Sequence, residues 1–273
     1  MQNPEHEALF TRLKNLRLHG CMLAIDDIKK EPTFADNLLR IVTMEEIERH
    51  RRQLTARVAA TKLPIFEPIA GFDWGWPSGI DRSMIEELFT FEFLKQKTNI
   101  VFLGSAGLGK TMISQNLVHE AARRGHNSMF IEAVKMLSDL LNETSRGGLD
   151  KLLNKYAKPE LLAIDEVGYL SYDTRHADLL MRVVHMRHAK ASTIITTNRP
   201  FHEWREMFPN AASVTALLDR LTENCEVVQI QGKSYRGKRA QERKTVKYPI
   251  KTAPPKKVMP DKPSVPIEQV EIL

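Results

Sequence analysis

The stretch that decides the fold runs from Asn99 to Thr111. It is the pentad Asn99-Ile100-Val101-Phe102-Leu103 followed by Gly104-Ser105-Ala106-Gly107-Leu108-Gly109-Lys110-Thr111. The pentad reads as a short buried strand. The next eight residues fit G-x-x-x-x-G-K-[ST] in full, and a helical pattern from about Lys110 to Arg124 stops at Gly125. Strand, loop and helix in that order give the pattern its chemistry. The glycines let successive backbone N–H groups turn inward as an anion nest, and the helix adds the positive end of its dipole. The Lys110 ammonium is placed to reach β- and γ-phosphates, and the Thr111 hydroxyl to ligate Mg2+. Gly104 through Thr111 are therefore candidate contacts to a nucleoside triphosphate, taken as ATP.

Three further pieces lie downstream. Leu161-Leu162-Ala163-Ile164-Asp165-Glu166 is an apolar strand ending in two acids at its C-terminal edge, where ligands sit in open α/β sheets. Asp165 is expected to hold Mg2+ through its water shell, and Glu166 to polarise an attacking water as general base. Thr196-Thr197-Asn198 ends the following strand. The Asn198 amide can fix that water or touch the γ-phosphate, while an Asn ahead of Arg199-Pro200 also suits a plain turn. Arg220, in Leu217-Leu218-Asp219-Arg220-Leu221, can face a neighbouring subunit's nucleotide and stabilise charge on the transferring phosphoryl. An intrahelical or surface Asp219–Arg220 arrangement is the alternative.

Between Asp81 and Ile230 helices and strands alternate. Helices are predicted over 83–95, 174–190 and 213–223, with two short ones around Gly147-Gly148. Strands are predicted at 128–131, 193–196 and 226–230. That alternation predicts an α/β fold, a parallel sheet covered by helices on both faces.

Residues 1–61 read as helical. Leu9, Leu13, Leu16 and Leu23 form one stripe, interrupted at Gly20, and Pro32-Thr33 starts a second helix. The capping-box pattern Thr43-x-x-Glu46 predicts a third helix, with Ile47, Leu54 and Val58 on its apolar face. Arg49, Arg51, Arg52 and Arg57 surround that face, and Glu45–Arg49 and Glu48–Arg52 are i,i+4 pairs. These arginines read equally as phosphate contacts or as a solvated helix face. The prolines, glycines and aromatics of 62–80, including Phe72, Trp74 and Trp76, read as a linker packed on the next domain.

Of the 273 residues, 42% are hydrophobic and 27% charged, which excludes wholesale disorder. No run approaches the roughly 18 apolar residues of a membrane span, and no apolar signal core opens the chain. Two cysteines, Cys21 and Cys225, exclude a disulfide framework, and His185 and His188 lack partners for a zinc pattern. A cytoplasmic protein with no membrane partner is expected. His19 reads as structural and Cys225 as a core residue. The net charge of +6 is concentrated late: ten Lys/Arg and one acid lie between 233 and 257, leaving the first 232 residues at −1. Prolines alternate with lysines after Lys244, so 237–273 is expected to be a basic, unfolded tail and the main electrostatic DNA contact.

Taken together the pieces resemble the additional-strand, catalytic-glutamate AAA+ ATPases, and more narrowly the IstB/DnaC-type family of transposition helpers and helicase loaders. Leu13-Lys14-Asn15-Leu16-Arg17-Leu18-His19-Gly20, Gly71-Phe72-Asp73 and Gly232-Lys233-Ser234-Tyr235-Arg236 carry the narrower resemblance, the last favouring the IstB side. The resemblance implies a five-stranded core with the sensor strand between the phosphate-loop and acidic strands. It also implies an ATPase domain over 81–236 behind a helical adaptor over 1–61. Arg220 would be a finger acting on a neighbouring protomer, and Arg236 a late nucleotide-sensing arginine. Arg146, Lys151 and Lys155, in the insert over 134–158, would line a DNA path, though a solvated helix face explains them as well. The implied activity is an ATP-dependent helper that oligomerises on double-stranded DNA and recruits a cognate transposase. A replicative helicase loader is the alternative.

Overall fold

The computed structural model describes residues 4–18, 32–169, 173–208 and 211–239. Gly20, His19, Cys21, Leu23 and nearly all of the basic tail lie outside them. The chain forms two compact units, Met1–Tyr235 and Arg236–Leu273. Of the second, only 236–239 are described, and they are helical.

In the first unit β1 (Asn99–Leu103), β2 (Ser128–Glu132), β3 (Leu161–Val167), β4 (Ser192–Thr197) and β5 (Cys225–Gln229) form one sheet in the order β2-β3-β4-β1-β5. Every pairing is parallel. β4, which ends just before Asn198, lies between β1 and β3, the strand order that the resemblance implied. The helices are α1 (Pro4–Asn15), α2 (Pro32–Ala60), α3 (Arg82–Leu88), α4 (Glu92–Gln96), α5 (Lys110–Arg123), α6 (Ala133–Asn142), α7 (Arg146–Ala157), α8 (Thr174–Arg187), α9 (Trp204–Met207) and α10 (Ala211–Thr222).

The two-residue side-chain period of a strand sorts the core into two layers. Ile100 and Phe102 of β1, Leu161 and Ala163 of β3, and Ile194 of β4 join Ile85, Leu94, Ile113 and Leu117 on one face. Val101, Leu162, Ile164 and Ile195 point the other way, into Met136, Tyr156, Leu180, Val183 and Leu217. Apolar residues on both sides of each strand are what a helix-covered parallel sheet requires. The edge strand β2 is closed by the end of α2, where the Phe130 N–H donates to the Thr61 carbonyl at 2.7 Å. Among the described residues no helix is long and apolar enough to cross a membrane.

Three helix predictions need correction. No third helix begins at Thr43, because α2 runs unbroken for 29 residues. The Thr43 hydroxyl donates back to the Leu39 carbonyl at 2.8 Å, and Arg12 of α1 binds both Thr43 and Glu46. The apparent capping box is a docking site for α1. The helix expected over 83–95 breaks at Phe91, whose φ of 65° places it in the left-handed region. The break near Gly147-Gly148 falls earlier, because Ser145 caps α7 by accepting the Gly148 N–H at 3.0 Å.

Magnitude decides what holds α1. Leu9, Leu13, Leu16 and Val42 form a small buried cluster, and each buried aliphatic side chain is worth about 1.5–3 kcal/mol. The half-exposed Arg12–Glu46 pair is worth at most about 1 kcal/mol. The bond from Arg12 holds the Glu46 carboxyl below its usual range. Its contribution is therefore present above the unfolded value near 4.5 and is lost as the pH falls through the lower folded value. Hydrogen exchange of the α1 amides should accelerate far more in Leu13→Ala than in Arg12→Ala, and only slightly on acidification. The opposite order would make the ion pair dominant.

Candidate nucleotide site

The phosphate loop joins the end of β1 to the start of α5, and packing dictates its glycines. A Cβ on Gly104 would lie 2.2 Å from the Ile230 carbonyl oxygen. Gly109 has φ of +92°, and a Cβ there would lie 2.4 Å from Phe72 Cε2. Neither position accepts a side chain without displacing the segment beside it. Leu108 is 1% exposed and anchors the loop in the core. The Tyr235 N–H donates to the Gly107 carbonyl at 2.8 Å. The Lys110 ammonium donates to the Gly104 and Ser105 carbonyls at 2.7 and 2.8 Å, which holds it over the loop.

The segment over 62–80 forms a wall of this site. Asn116 of α5 clamps it: its carbonyl oxygen accepts from the Ile69 N–H at 2.8 Å, and its amide donates to the Glu67 carbonyl at 3.0 Å. Phe72 packs against Trp74 in a tilted arrangement with ring centroids 4.7 Å apart, and Arg82 lies over the Trp74 ring. Gly79 and Gln231 exchange two backbone hydrogen bonds, of 3.0 and 2.8 Å. Trp76 Nε1 donates to the Lys233 carbonyl at 2.8 Å.

At the acidic end the Thr111 hydroxyl lies 3.0 Å from both carboxylate oxygens of Asp165. Asp165 is 3% exposed. Burial pushes its pKa up, the hydrogen bonds from Thr196 and Thr111 act against that, and the charges of Glu166 and Glu132 add to it. Among the described residues no basic side chain is ion-paired with it. A buried carboxylate beside a threonine hydroxyl, lacking a cationic partner, is a hard-oxygen donor set that fits Mg2+.

Consecutive residues of a regular strand point to opposite faces, so Asp165 and Glu166 should not serve one site. The structure resolves this with a bulge. β3 pairs with β4 through Ile164↔Ile195 and resumes at Val167↔Thr197, so Asp165 and Glu166 together oppose Thr196 alone. Glu166 takes φ of +60°, a conformation that costs a non-glycine residue about 1–3 kcal/mol and tends to occur at functional sites. Its N–H, out of the ladder, donates to the Thr196 hydroxyl at 2.9 Å.

The fold thus gathers Gly104 through Thr111, Asp165 and Glu166 at the C-terminal ends of β1 and β3. Asn198 follows directly on β4 and is exposed. Arg220 lies in the last turn of α10, donates to the Ala216 carbonyl at 3.2 Å, and takes no part in the hydrogen bonds of this cluster. Arg236 opens the second unit. Away from the site, Arg49 and Arg51 are paired with Glu45 and Glu48 at 2.6 and 2.7 Å, which is the solvated-face arrangement. Sequence reasoning missed Phe72 as the wedge beneath Gly109, Asn116 as the linker clamp, and Thr196. Of the three only Thr196 had a readable signal, because two adjacent strand acids serving one site require a bulge and a partner for the displaced N–H.

A phosphate loop closing β1, an acidic β3 and a fourth strand between them define a P-loop NTPase fold. Residues 11–243 match the IstB-like ATP binding protein family, and the chain belongs to that family. It is 36% identical over 214 residues to an insertion sequence IS5376 protein from Geobacillus stearothermophilus described as ATP-binding, covering 78% of this chain and 85% of that one. An insertion sequence IS21 protein from Pseudomonas aeruginosa, described the same way, is 32% identical over 85% of this chain and 88% of its own. Among solved structures, AMPPCP-bound DnaA from Aquifex aeolicus shares the fold, with a TM-score of 0.52, 20% identity, and coverage of 70% of this chain and 58% of that one.

Proposed function

We propose that this chain is a Mg2+-dependent, DNA-linked ATPase that assists transposition. The observation that carries the reading is the bulge in β3, which costs backbone strain and brings two adjacent carboxylates to the phosphate-loop end of the sheet. The loop N–H groups and Lys110 bind the triphosphate, and Thr111 and Asp165 hold Mg2+, which supplies charge neutralisation at the β- and γ-phosphates. Glu166 accepts a proton from the attacking water, and Asn198 orients that water or senses the γ-phosphate.

Arg220 serves as a finger for the next protomer's nucleotide, so assembly and hydrolysis are coupled. ATP then acts as removable glue: bound, it stabilises a homo-oligomer on double-stranded DNA; hydrolysed, it releases that oligomer. Segment 1–61 is the adaptor for a cognate transposase, and Arg236 responds to nucleotide at the head of the tail. The ten Lys/Arg between 233 and 257 supply the electrostatic contact to phosphates. The helicase-loader reading differs only in partner, and relatives from insertion sequences support the transposition side.

Sizing the purified chain with and without ATP and duplex DNA tests the assembly. The particle should grow only when both are present, and Lys110→Ala should abolish that growth. Nucleotide-dependent assembly by Lys110→Ala would overturn the reading.

A further inference from the structure

We propose that Thr196 is a positioning residue for hydrolysis, its one hydroxyl holding both the Asp165 carboxylate and the backbone of Glu166. The proposal rests on the ATPase reading and adds the device by which two adjacent acids keep separate roles. Thr196 is the single β4 residue opposite the two-residue bulge. Its hydroxyl donates to Asp165 Oδ1 at 2.5 Å and accepts the Glu166 N–H at 2.9 Å.

The residue type follows from the geometry. The bulge removes the Glu166 N–H from the ladder, and a buried N–H without an acceptor is costly. Thr196 is 1% exposed, so its hydroxyl offers that N–H an acceptor where bulk water is excluded. The partner must also be a donor, because the nearby Asp165 oxygen only accepts when ionised. A hydroxyl does both with one atom, and β-branching restricts its χ1 rotation. The next threonine is committed elsewhere: Thr197 Oγ1 accepts the Arg199 N–H at 3.1 Å. Without the Thr196 hydroxyl the Asp165 carboxylate loses one of its two side-chain donors, leaving Thr111, and the Glu166 backbone loses the bond that holds its left-handed turn.

Steady-state ATPase measurements on Thr196→Val, Thr196→Ala and Thr196→Ser, with Glu166→Gln in parallel, test this. Val should lower kcat about tenfold to a hundredfold, the effect of losing one charge-assisted buried hydrogen bond. It should leave the KM for ATP within about twofold while raising the Mg2+ concentration needed for half-maximal rate. Ser, which keeps the hydroxyl, should stay within about threefold of the parent, and exchange of the Glu166 amide should accelerate in Val and Ala but not in Ser. Should Val fail to fold, Ala against Ser decides in the same way. Parental kcat and Mg2+ dependence in Val or Ala, or a loss in Ser equal to theirs, would overturn the proposal and leave the ATPase reading standing. Normal turnover by Glu166→Gln would instead remove Glu166 as the general base, and no ATP hydrolysis by the parent chain would overturn the ATPase reading.

Discussion

Replacing Glu166 by Gln is expected to leave ATP bound and to slow its turnover by about a hundredfold to ten-thousandfold, the range a positioned general base contributes. Gln matches Glu in shape but cannot take a proton from water at neutral pH. The groups that hold the triphosphate and Mg2+, namely Lys110, Thr111 and Asp165, are untouched, so nucleotide binding followed by equilibrium dialysis should change little. Complexes with DNA should become longer-lived, because the step that releases them is blocked. Glu166→Gly separates backbone from chemistry. Glycine removes a left-handed penalty of about 1–2 kcal/mol and gives back about 0.5–1 kcal/mol of unfolded-chain entropy. The Gly variant should therefore melt no lower than the parent while losing turnover as the Gln variant does. A large loss of stability in Glu166→Gly would mean that the carboxylate serves the fold, and normal hydrolysis by either variant would remove Glu166 from the chemistry.

That experiment bears on how much the sequence disclosed. The phosphate loop was legible because its pattern is local: strand, glycines, lysine and helix follow one another, although the groups that exclude a side chain at Gly104 and Gly109, Ile230 and Phe72, are distant in sequence. The strands were legible because a parallel sheet buries both faces, so β1, β3 and β4 read as short apolar runs between polar helices. What the sequence hid was contact between distant segments. Thr43 and Glu46 have capping-box spacing, but the choice between a helix start and continuation was made by Arg12, thirty-odd positions earlier, with the Leu13 cluster behind it. Phe72 beneath Gly109 and Asn116 on the linker are likewise invisible to periodicity, since an aromatic in a proline-rich stretch and one Asn on a helix fit many settings. Asp165-Glu166 lies between these cases. The two acids read as a pair, and that pairing already calls for a bulge, but where it falls and that Thr196 faces it are displayed only by the β3–β4 register.

The second large effect lies far from the phosphate loop, at Arg187. This arginine, the last residue of α8, is 1% exposed, and no carboxylate is ion-paired with it among the described residues. Its guanidinium is satisfied by chain ends. Nη1 donates to the carbonyls of Tyr156, Ala157 and Pro159 at 3.1, 3.1 and 2.7 Å, Nη2 donates to the Ser192 carbonyl, and Nε donates to Thr193 Oγ1 at 3.0 Å. Two of those carbonyls close α7, whose orphan acceptors and negative dipole end favour a cation. Burial pushes the Arg187 pKa down to about 9, so the group remains charged at neutral pH. Arg187→Met removes the desolvation cost of the charge but strands four carbonyls and a hydroxyl in a dry site. Each stranded group forfeits about 1 kcal/mol or more, and removing one member of a buried charged network costs about 3–5 kcal/mol. The loss should outweigh the relief, with urea unfolding showing a deficit of about 3 kcal/mol at unchanged slope and melting lowered by about 6–12 °C for a chain of this size. Arg187→Lys should fall between, because a lysine keeps the charge but replaces a planar five-donor fork with three donors on one atom. Melting of Arg187→Met within a degree of the parent would show that the carbonyls find other partners, and that the junction of α7, α8 and β4 does not depend on this guanidinium.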